Sequence, residues 1–121
     1  MKYLVLLIGD GELPPWNSLS EAEQAAGMQK FEDFGDACKE REGVEILSGE
    51  ALAGPSSATT LRSRGGKLTI TEGPYAEAIE GLGGYYLIET PDLDTLIELL
   101  QVLPAYDMQL HPAENVLRAH S

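Results

Sequence analysis

Residues 69–96 read TITEGPYAEAIEGLGGYYLIETPDLDTL, a β-prone run that ends on Glu72, breaks at Gly73-Pro74, passes Glu77 and re-enters an aromatic strand. Side chains alternate along a strand, so Leu68 and Ile70 share one face, Thr69 and Thr71 the other, and Glu72 continues the Leu68/Ile70 face. The expectation is a carboxylate at the end of a buried strand, beside a turn that proline stiffens. In LGGYYLIE, Tyr85 and Leu87 fall on one face and Tyr86 and Ile88 on the other, so neither face is wholly polar. Asp92 is placed to cap a helix whose stripe is Leu93, Leu96, Ile97, Leu100 and Leu103, ended by Pro104.

Working outward, residues 2–8 form an unbroken apolar run that suits a central strand. GDGELPP forces a turn, and Ser18-x-x-Glu21 and Ser20-x-x-Glu23 both offer helix-start chemistry. A long helix over residues 19–42 follows, with Leu19, Ala22, Ala26, Phe31, Phe34 and Cys38 on its apolar side and Gly43 as its stop. VEIL returns as a strand, and ATTLRSRGGKLTIT reads as a hairpin turning at Gly65-Gly66. In YDMQLHP, Tyr106, Met108 and Leu110 point inward and Asp107, Gln109 and His111 outward, while NVLRAHS is a tail. The order predicts a ferredoxin-like α+β fold: an antiparallel sheet, two helices on one face and an extra hairpin strand. The other sheet face keeps too much apolar surface for water, which calls for a homodimer packed sheet to sheet.

With 121 residues, 43% of them hydrophobic, the chain suits one domain with one core. Eight basic against twenty acidic residues give a net charge of -12, which repels a phosphate backbone and argues against a nucleic-acid partner. Cys38 is the single cysteine, so no internal disulfide forms and a reducing cytoplasm is the expected compartment. YLVLLIG is too short to span a bilayer and lacks the flanks of a signal peptide, so no membrane partner is expected. His111 and His120 stand without metal-ligand spacing, and the glycine-rich turns lack the strand, lysine and helix of a phosphate cradle. No metal and no cofactor is expected.

The stretch GGKLTITEGPYAEAIEGLGGYYLIETPDLDTLIELL resembles the signature of the YCII-related proteins, in particular the subgroup named for an Asp-Gly-Pro-Phe motif. The resemblance implies a dimeric α+β barrel. It also implies either cofactor-free proton transfer, as in isomerisation or elimination on a small organic acid, or a non-catalytic ligand-binding or accessory role, in some relatives beside alternative sigma factors. Glu72 stands where the motif has aspartate and Tyr75 where it has phenylalanine. His111 replaces the arginine usual in the last strand, and the first helix has no histidine to pair with the acid.

The candidate site follows. Glu72 is the proton carrier if cover takes it out of water, and a solvated strand-end acid otherwise. Tyr75 offers a pocket wall with a polar tip or a packed aromatic, and Glu77 is recommended by its motif position. Arg62 and Arg64 share a face of the hairpin and suit a carboxylate ligand or the chain's own acids. His111, of the residue type most often used as acid or base, is either the missing partner or a surface residue. Cys38 reads as a buried small hydrophobe.

Overall fold

A computed structural model of the chain describes residues 1–9, 11–54, 57–73 and 82–114. The elements run β1 (Lys2–Gly9), a 3-10 turn (Trp16–Ser18), α1 (Glu21–Glu40), β2 (Glu45–Ala51), β3 (Thr59–Arg64), β4 (Lys67–Glu72), β5 (Gly84–Glu89), α2 (Leu93–Leu100) and β6 (Asp107–Pro112). β1, β2, β5 and β6 form an antiparallel sheet in the order β2-β5-β1-β6. Each helix carries the chain past an intervening strand, which is the ferredoxin-like path expected from the sequence. The apolar run of β1 lies centrally, paired on both edges.

The register divides the sheet into two unlike faces. Tyr3 opposes Ile88, Val5 opposes Tyr86 and Leu110, and Leu7 opposes Gly84 and Met108. Directly paired residues share a face, and this one receives Phe34 and Cys38 from α1 and Leu96, Leu99 and Leu100 from α2 in a single core cluster. The opposite face carries Leu4 against Leu87 and His111, and Leu6 against Tyr85 and Gln109.

Helix boundaries follow local chemistry. At Ser20 the side chain accepts the Glu23 N–H at 3.1 Å and Glu23 accepts the Ser20 N–H at 3.0 Å, a complete capping box, so the second of the two start signals is used. α1 ends at Glu40, and Gly43 takes φ +81, a conformation natural to glycine. Asp92 caps α2 by accepting the Thr95 N–H at 2.7 Å. That bond holds the Asp92 carboxyl below its usual range.

The extra hairpin is present, as a two-stranded sheet of its own. Two expectations change. Ala22 and Ala26 are exposed, because α1 is buried against the sheet only at Phe34 and Cys38, in its second half. In α2 the core stripe is Leu96, Leu99 and Leu100, continued by Leu103 beyond the helix, while Leu93 and Ile97 are exposed. The helix is rotated so that two residues per turn, three and four apart, meet the sheet.

Candidate functional site

The first half of α1 overhangs the sheet, and a cleft of about 610 Å3 opens beneath it. Small and large residues are sorted to make that space. Gly49 and Gly84 form a floor without side chains, and Trp16, Met28, Phe31, Tyr86 and Tyr106 form the walls. Gly49 is required there: a Cβ at that position would stand 2.6 Å from Cδ1 of Tyr86. The Tyr86 ring lies over the glycine and meets Phe34 edge-on, with centroids 5.2 Å apart. Phe31 and Tyr106 form a second, tilted pair at 6.1 Å. Gly27 lets Trp16 approach α1, since a Cβ there would lie 3.1 Å from the indole.

The electrostatics of the cleft are mild. Burial raises the Tyr86 phenol above its ordinary value, with smaller contributions from Cys38 and Tyr106, so it presents a protonated O–H near neutrality. On the opposite face of the sheet the hydroxyls of Tyr85 and Ser48 hydrogen bond at 2.9 Å. Among the described lining residues there is no Lys or Arg, and Glu50, the one carboxylate, pairs with Tyr85 so that its side chain falls on the helix-free face. The arrangement suits an apolar ligand held by aromatic rings and oriented by a few polar groups. Among the described residues, no group of three or more His, Cys, Asp or Glu side chains is arranged to hold a metal ion.

The residues singled out from the sequence lie elsewhere. Glu72 is exposed at the end of β4, opposite Thr59, and does not line the cleft. The strand it ends is exposed along its whole length, contrary to the buried strand expected. Alternation placed the apolar residues together, but they are exposed, and no described element covers them. Gly73 follows Glu72 at φ +102, its N–H donating to Ala58 O at 2.7 Å and its carbonyl accepting from Thr60 Oγ1 at 2.6 Å. That fixes the direction in which the chain leaves the strand.

Arg62 and Arg64 share a hairpin face, as expected, but it is the face opposite Glu72, since Arg62 pairs with Thr69 and Arg64 with Lys67. Arg64 Nη1 donates to Ser63 O at 2.9 Å. His111 is exposed on β6, across from Leu4, with Nε2 2.8 Å from Gln109 Oε1. Tyr75, Glu77 and His120 lie outside the described residues. Sequence reasoning assigned Phe31 and Tyr106 to the core and gave Trp16, Met28 and Tyr86 no role at the site. The usable signal was the pairing of glycines with aromatics, at Gly83-Gly84-Tyr85-Tyr86 and at the single tryptophan after Pro14-Pro15.

An antiparallel sheet with two helices on one face, a separate hairpin and an aromatic cleft at its end defines a small α+β protein of ferredoxin-like path. The YCII-related domain matches residues 1–117, and the chain belongs to that family. No curated protein matches the chain. No helix among the described residues is long and apolar enough to cross a membrane.

Proposed function

We propose that the cleft under α1 binds a small, mainly apolar molecule and that the protein works first as a ligand-binding module, a homodimer that covers its helix-free sheet face. The observation that carries this reading is the cleft itself, a space of about 610 Å3 with aromatic walls and a glycine floor. Its lining favours an uncharged ligand over the small organic acid expected from the sequence, because a carboxylate placed among those rings meets no described cation. Leu4, Leu6 and Leu87 on the helix-free face support the homodimer. The test is a titration of Trp16 fluorescence with benzamide and with benzoate, near-isosteres that differ in charge. Benzamide is expected to saturate the change and benzoate to bind at least about tenfold more weakly; equal binding, or none, refutes the reading.

A second reading places the chain in the Asp-Gly-Pro-Phe subgroup, with Glu72 as carrier in cofactor-free proton transfer and Tyr75 and Glu77 beside it. It is favoured by the position of Glu72 at the end of the Leu61/Leu68/Ile70 face, where cover would take the carboxylate out of water. Arg62 and Arg64, on the other hairpin face, then anchor a ligand only from a second subunit. Glu72→Gln separates the readings: cleft binding is unchanged under the first, and turnover of any substrate is lost under the second.

A further inference from the structure

The β3–β4 hairpin pairs with no strand of the main sheet. A two-stranded ribbon is marginally stable alone in water, yet this one turns Leu61, Leu68 and Ile70 outward at 60%, 61% and 66% exposure. Leu61 and Ile70 are direct cross-strand partners, and Leu68 lies on the same face across from Ser63, so the three make one continuous apolar strip. A strip of this kind on an arm marks a contact surface.

Charge identifies what it contacts. Residues 59–72 hold Arg62, Arg64 and Lys67, three of the chain's eight basic residues, and one of its twenty acidic ones, Glu72. The arm is therefore net positive and the rest of the chain is even more negative than the whole. An acidic partner with an apolar surface fits it, and a second copy of this chain is such a partner. The helix-free face offers Leu4, Leu6 and Leu87, with Glu45 and Glu50 on the edge strand β2 and Glu89 on β5. We infer that the β3–β4 hairpin is a dimer arm: its Leu61/Leu68/Ile70 strip docks on the helix-free face of a second copy, and Arg64 and Lys67 at its tip meet that copy's β2 acids. The long stems of Arg64 and Lys67 let their charges reach past the edge of the ribbon. A two-fold axis makes the exchange reciprocal, so each copy gives an arm and receives one. Glu72 shares the docking strip and loses water as the arm seats, which makes its surroundings a property of the dimer.

This inference rests on the homodimer reading above, and one experiment separates their failures. Sedimentation velocity is run over a range of protein concentrations, at low and high salt, on the wild type, on Leu68→Ser/Ile70→Ser and on Arg64→Glu/Lys67→Glu. The wild type is expected to be dimeric, with dissociation enhanced by salt. Each double variant is expected to raise the dimer Kd at least about tenfold, and the charge variant to lose most of the salt dependence. Circular dichroism of the monomers checks that the sheet and helices remain. If the variants fail to fold, acetylation of wild-type Lys67 replaces them, with slower modification expected at dimer-forming concentrations. A wild type that stays monomeric overturns both readings and leaves the strip to another partner. A dimer that both variants form within twofold of wild type, or a Lys67 rate independent of concentration, overturns the arm alone.

Discussion

Tyr86 can lie across β2 because residue 49 has no side chain, so one glycine sets both the core edge at Phe34 and the cleft wall. Gly49→Ala forces the ring or the strand to move. It is expected to cost about 1–3 kcal/mol in denaturant unfolding, as overpacking does, and to abolish benzamide binding. Cys38 is buried, which pushes its thiol up to about 11. An unfolded thiol titrates near about 8.5, so above that pH the unfolded chain releases the proton first and stability falls until the folded thiol also titrates. Denaturant midpoints from pH 8 to 11 are expected to drop further for wild type than for Cys38→Ala; identical slopes contradict the burial argument. The burial of Cys38 was legible from its place on the α1 stripe. The exposure of Glu72 was not, because a two-residue period tells which side chains share a face and is silent on what covers it.

At the scale of elements, caps and turns were the most legible features, since they depend on residues close in sequence. Gly65 and Gly66 take φ +57 and +80, the positive pair that a two-residue hairpin turn demands. The Ser20 capping box anchors the half of α1 that the sheet does not support. Ser20→Ala is therefore expected to cost about 1 kcal/mol, and faster amide exchange at Glu23 and Gln24 measures it directly; unchanged exchange would show that the overhang is held by other means. The rotation of α2 toward Leu99 was harder to read, because its apolar residues fill one broad arc from Leu99 to Ile97, which admits more than one core-facing stripe. Where α1 leaves the sheet was not legible at all. Ala22 and Ala26 keep the helical spacing of Phe34 and Cys38, but the strands beneath them end in glycines.

For the whole molecule, the path of the main sheet followed from the alternation of strands and helices, which admits few topologies. The cleft did not, because it arises from residues near positions 7, 16, 28, 49, 84 and 106, brought together only by the sheet order. The hairpin's separation from the sheet was likewise invisible, since pairing partners beyond the turn carry no local mark. Both features now give the homodimer and the cleft separate tests. Methionine methyl spectroscopy tests the cleft most directly, because the chain has three methionines and Met28 alone lines the space. Met1 is exposed and Met108 packs against the core. On titration with benzamide the Met28 methyl is expected to shift and saturate while Met1 stays still; a stationary Met28, or a shift of all three alike, would contradict a ligand site beneath α1.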